Sequence, residues 1–229
     1  MQITEIAARV LDERAFVGRV YWWMAVALCL TAVVAMWTAS TPALQQIILG
    51  NQIVFFGLIL SELALVFYLS FRIAKMSVQA ASVAFVVYSL LNGLTLSIIF
   101  LAFTAGSLAS TFFVTAGTFG FMSAYGYFTK TDLTRIGNIC FMALIGLILA
   151  TVVNIFWNNS ALYWITTYVG VLIFVGLTAY DTQKIKRIGQ MVDEGSDEGK
   201  KAAVMGALAL YLDFINLFLM LLRIFGRRR

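Results

Sequence analysis

Residues 207–229 read ALALYLDFINLFLMLLRIFGRRR. The run is apolar over the roughly 20 residues that a helix needs to cross a bilayer, yet Asp213 stands inside it. Asn216 follows three residues on, so the two share a helix face and leave a polar strip in an apolar helix. A charge at bilayer depth costs about 2.5–3.5 kcal/mol on insertion scales, and such residues face the protein interior and mark functional sites. An asparagine would supply a structural hydrogen bond more cheaply. Asn92, Asn154 and Asn216 are read in that way, as bonds between helices worth about 1 kcal/mol each. Asp213 is singled out as functional.

The rest of the chain suits a membrane. Of its 229 residues 62% are hydrophobic and 12% charged, with a mean hydropathy of +0.92. Soluble domains lie nearer 45–50% apolar and about 25% charged. Seven segments are long and apolar enough to span, at about 21–40, 53–71, 82–104, 108–128, 137–157, 162–180 and 204–225. The fold class is therefore an all-α membrane protein. A polar N-terminal segment, 1–20, precedes a single seven-helix transmembrane domain, 21–229. That first segment mixes Glu5, Asp12 and Glu13 with Arg9, Arg14 and Arg19, unlike a cleavable signal, so the first span is expected to be retained. Trp22, Trp37, Trp157 and Trp164 lie near segment ends, where amphipathic rings favour the headgroup level. Gly117, Gly120 and Ala124 on the fourth span are read as a close helix-packing face.

Basic residues set the orientation. Arg9, Arg14, Arg19, Arg72, Lys75, Lys130, Arg135, Lys184, Lys186, Arg187, Lys200 and Lys201 fall on one side, while the loops of the other side, TPALQQIILGNQ, AGS and NNSA, contain none. The positive-inside rule makes the N-terminus cytoplasmic. Arg223, Arg227, Arg228 and Arg229 conflict with it if the last segment crosses fully. Either that segment re-enters and returns, or the earlier loops outvote the tail. At 22 residues it is long enough to cross, which favours seven spans.

The chain has no histidine, which removes Ser-His-Asp and Cys-His catalysis and His-based zinc signatures. Cys29 and Cys140 lie in apolar spans and read as small buried hydrophobes rather than a disulfide or metal motif. The net charge of +5 is juxtamembrane and reads as topology, so no nucleic-acid partner is expected. The ionisable groups left at depth are Glu62, Asp181 and Asp213, with Arg72 at the cytoplasmic end of the second span. Spacing alone does not bring Asp181 and Asp213 together.

At these residues the sequence resembles the transmembrane Bax inhibitor motif, or Bax-inhibitor-one, family. The motifs FVGLTAYDTQKIK and LALYLDFINLFLMLLRIFG carry the resemblance, and the seven-segment pattern extends it over nearly the whole chain. The resemblance implies a seven-transmembrane-helix bundle with the last helix central and, in bacterial members, a pH-sensitive calcium leak. It places a proton-sharing pair on Asp181 and Asp213, a latching arginine on Arg72, and a further acid near the other mouth on Glu62. Asn216 joins Glu62 on the ion pathway. Two carboxylates in a dry site cannot both ionise cheaply, and an ionised pair draws Ca²⁺, which prefers several carboxylate and carbonyl oxygens. Asp181 and Asp213 are thus expected to gate the leak and to hold Ca²⁺ transiently. The expected partners are calcium ions and the lipid bilayer, in a bacterial inner (plasma) membrane, with no cofactor and no enzymatic activity.

Other classes fit less well. An intramembrane aspartyl protease pairs Tyr-Asp with Gly-x-Gly-Asp; AYDTQ supplies the first, but LYLDF lacks both glycines and Pro42-Ala43-Leu44 lies far upstream. A retinal protein needs a lysine in its last span, and 204–225 has none. The competing reading is a membrane interaction protein that regulates stress responses or membrane-protein quality control through membrane-protein partners. The aspartates would then be structural. VDEGSDEGKK lacks the oxygen-ligand spacing of an EF-hand and reads as a solvated connector.

Overall fold

A computed structural model describes residues 2–229, with side chains from Leu11 onward, so the side chains of Glu5 and Arg9 lie outside it. The elements are α1 (Gln2–Ser40), α2 (Pro42–Ile48), α3 (Gln52–Arg72), a 3₁₀ turn (Ile73–Lys75), α4 (Val78–Ala102), α5 (Ala105–Phe128), α6 (Thr134–Trp157), α7 (Ser160–Gly189) and α8 (Asp197–Phe225). No β-strand occurs among the described residues. All but the short α2 are long and apolar enough to cross a membrane. The protein is an all-α membrane protein with seven such helices.

Local chemistry sets their ends. Asn51 accepts from Ile53 N and Val54 N at the start of α3, and Ser77 Oγ accepts from Ala80 N at the start of α4. Ser196 Oγ accepts from Gly199 N, and Asp197 and Glu198 occupy the first turn of α8, where the helix dipole favours acids. Asn158 ends α6 in the left-handed conformation (φ 47°) that asparagine tolerates.

Two helices exceed the apolar runs that announce them. α7 continues past residue 180 to Gly189, and α8 starts at Asp197 rather than near 204. Thr182, Gln183 and Ile185 are buried, so a packed face carries α7 on where average hydropathy has already fallen. Helix α1 likewise runs without a break from the polar segment into the first span, with Phe16 and Val20 buried. Helix α8 is the most enclosed, as expected of a central last helix: 61% of its most apolar stretch is buried, against 6% for α3 and α6.

The chain forms two compact units. The first comprises Met1–Thr104, Arg187–Tyr211 and Arg228–Arg229; the second comprises Ala105–Lys186 and Leu212–Arg227. In the first, α1 packs closely on α4: Thr31 Oγ1 donates to Ser89 O at 2.8 Å, and a methyl group on Gly93 would strike Thr31 O and Val34. The 190–196 loop is held to α1. Arg19 pairs with Glu194 at 2.5 Å and donates to its carbonyl, while Gln190 donates to Glu13 Oε2 at 2.6 Å. The basic tail ends beside α4, where Arg229 N donates to Ala102 O at 3.0 Å. Since α8 is one unbroken helix of 29 residues, the last segment does not re-enter and return.

In the second unit small residues let α5, α6, α7 and α8 approach. A methyl group on Gly126 would strike the Ala179 backbone, and one on Gly137 the Tyr180 ring. The expected packing face at Gly117, Gly120 and Ala124 is not used: all three are exposed, and nothing lies within 4 Å of a methyl group added at either glycine. Spacing shows that residues are small but not which way they face.

Candidate functional site

Asp181 lies in α7, eight residues before its end at Gly189, or about 12 Å along the axis. Asp213 lies 16 residues into α8, about 24 Å from its start. Although these two distances differ, the side chains are hydrogen-bonded to each other. Both belong to the second unit. Ionised carboxylates only accept hydrogen bonds, so two carboxyls bond to each other only while one of them carries a proton. Asp213 is 4% exposed and its Oδ2 meets no partner, whereas Asp181 is half-buried.

The surroundings hold the pair in place. Lys184, one turn further along α7, is the cation that acts on Asp181, and it is exposed. Cys140 lies close enough to Asp213 to feel its charge and packs against Gly176. Below the pair, Gln183 ties α7 to the α5–α6 connection: its Oε1 accepts from Leu133 N at 2.9 Å and its Nε2 donates to Thr131 O at 2.8 Å. Lys186 adds a bond to Tyr127 O at 2.9 Å and sits 4.6 Å over the Tyr127 ring. Sequence reading passed over Gln183 and Lys186 as part of a basic loop. An amide four residues after Ala179, on its face of the helix, was the available signal.

The other sequence candidates stand elsewhere. Asn216 Nδ2 donates to Leu212 O of its own helix. Asn92 bonds Tyr88 within α4, and Asn154 accepts from Asn159 N, so these recorded bonds join no two helices. Glu62 and Arg72 belong to the first unit. Glu62 is half-buried on α3 and accepts from Thr95 Oγ1 at 2.9 Å. Near it Tyr211 Oη shares a 2.7 Å bond with Thr31, whose own proton goes to Ser89 O, so Tyr211 donates. Arg72 is exposed at the end of α3. Among the described residues no group of three or more Cys, Asp and Glu side chains could hold a metal ion. Ca²⁺ takes six to eight oxygens, more than these two carboxyls provide.

Seven long apolar helices with two hydrogen-bonded carboxyls in the interior define a class: a polytopic α-helical membrane protein with a buried titratable pair. The profile of the family described as "Inhibitor of apoptosis-promoting Bax1" matches residues 13–229. The chain belongs to this Bax-inhibitor-one family. It is 53% identical over 217 residues to the inner membrane protein YbhL of Escherichia coli, covering 94% of this chain and 93% of that one. It is also 42% identical to an uncharacterized protein of Borreliella burgdorferi, over 100% and 99% of the two chains. A Rickettsia prowazekii protein, RP147, is 43% identical over 96% and 94%.

Proposed function

We infer that the protein is a pH-sensitive cation leak pathway, with Ca²⁺ as cargo, gated by the proton that Asp181 and Asp213 share. The observation that carries this reading is the hydrogen bond between the two carboxyls, with Asp213 Oδ2 buried and unpartnered. While the proton is held, the pair is bonded and carries a single negative charge. When it leaves, two like charges face each other with only acceptors between them. The helices must then separate or the site must take a cation, so flux rises as pH rises. The family resemblance assigns Arg72 as a latch on the ionised pair, and Arg72→Ala is then expected to raise flux at high pH. The name of the Escherichia coli relative supports an inner-membrane location, and the basic loops support a cytoplasmic N-terminus. No enzymatic step, cofactor or nucleic acid enters the scheme.

Calcium uptake into proteoliposomes, measured against pH, tests this. Wild type should climb with pH. Asp213→Asn should stay low and flat, because its amide supplies Asp181 with a donor that no pH change removes. An Asp213→Asn protein that keeps the wild-type pH response refutes the gate. Membrane-protein partners would grip the polar N-terminal segment; loss of their binding on deleting residues 2–18, with flux intact, separates the two roles.

A further inference from the structure

The buried face of α5 carries Thr111, Thr115, Phe119 and Ser123, spaced by four and all turned inward. Thr115 Oγ1 satisfies itself on Thr111 O at 2.8 Å. Thr111 Oγ1 and Ser123 Oγ do not: both are buried and meet no partner, and Asp213 Oδ2 shares that condition in the same unit. Buried polar atoms are almost always bonded to protein or to water, so Thr111 Oγ1 and Ser123 Oγ are two buried hydroxyls on one helix face whose remaining partner is water.

The hydroxyl row is interrupted once. Phe119 stands midway between Thr115 and Ser123, and its ring packs edge-on against Phe214 with centroids 5.3 Å apart. Phe112 reaches the same ring from one side, at 5.6 Å. Both Phe119 and Phe214 are buried, and Phe214 directly follows Asp213 on α8. At the row's far end Gly126, three residues beyond Ser123, abuts Ala179, two residues before Asp181. The row therefore runs beside the helices that carry the carboxyl pair.

We propose that Thr111, Thr115 and Ser123 line a narrow path for water and cations, closed at mid-depth by Phe119 against Phe214. The proposal rests on the leak reading above and adds the constriction that the carboxyl pair controls. Uncharged hydroxyl oxygens suit a partly hydrated hard cation, and an aromatic constriction blocks ions by keeping water out. Because Phe214 neighbours Asp213, parting of the carboxylates shifts Phe214 off Phe119 and lets water through.

The test is calcium flux in proteoliposomes at acidic pH, where wild type is closed, for Phe119→Ala and Phe119→Leu. Removing the ring should raise flux at least about ten-fold, while leucine keeps the path shut, as expected of a dewetted constriction. Wild-type flux in Phe119→Ala overturns the proposal even where wild type responds to pH, which leaves the leak reading standing. If wild type passes no calcium at any pH, the leak reading fails, and Phe119→Ala still decides: flux supports the constriction and its absence overturns it. A labelling measurement stands beside these should the alanine variant not fold. In a Cys29→Ser, Cys140→Ser background, Thr111→Cys and Ser123→Cys should each react with a membrane-impermeant thiol reagent from one side only, and from opposite sides. Protection of both from both sides, or labelling of both from the same side, overturns the path.

Discussion

At Gly126 a single added methyl group would meet the backbone of Ala179, which cannot swing aside as a side chain would. Gly126→Ala should therefore destabilise the protein by roughly 1–3 kcal/mol, the usual range for overpacking, read as a lower unfolding midpoint in detergent. Gly117→Ala, with open space around it, should stay within about 0.5 kcal/mol of wild type. An equal loss at both would contradict the packing described. The contrast also marks the limit of legibility at this scale. Asp213 was readable as an inward-facing carboxyl because the cost of a carboxylate at depth is a property of the residue and its run. The direction in which Gly117 and Gly126 face is a property of the assembled helices, and two glycines on one helix look alike in sequence. The bond from Asp181 to Asp213 was equally out of reach, since spacing along two chains does not fix relative depth.

Among the elements, α7 shows why helix ends were harder to read than helix existence. Apolar runs located all seven long helices, but the run ends near residue 180 while the helix goes on to Gly189. Its extension is held by specific bonds, of which Gln183 makes two to the α5–α6 connection. Gln183→Ala leaves Leu133 N buried without an acceptor, a loss of roughly 1–3 kcal/mol. The expected reading is faster amide exchange across residues 129–133, with α5 and α6 themselves protected. Unchanged exchange there would show that the connection does not depend on Gln183. Gln183→Glu keeps the acceptor for Leu133 N and should recover part of the protection.

For the molecule as a whole, the seven long helices and the position of Arg229 beside Ala102 agree on an odd number of crossings. Impermeant labelling of single cysteines placed at residues 2 and 229 should therefore come from opposite faces of the membrane, with residue 2 inside. Labelling from one face would undo the topology. Membrane class and span number were legible because hydropathy is summed over long windows; the carboxyl contact was not, because it depends on how far α7 and α8 overrun those windows. The central claim is that these two carboxyls share a proton at neutral pH. Infrared absorption of the protein in lipid tests it most directly, through the carbonyl stretch of a protonated carboxyl. The account predicts such a band at neutral pH, lost as pH rises and missing from both Asp181→Asn and Asp213→Asn. A spectrum with no protonated carboxyl at neutral pH, or one whose protonated-carboxyl intensity neither substitution lowers, would contradict it.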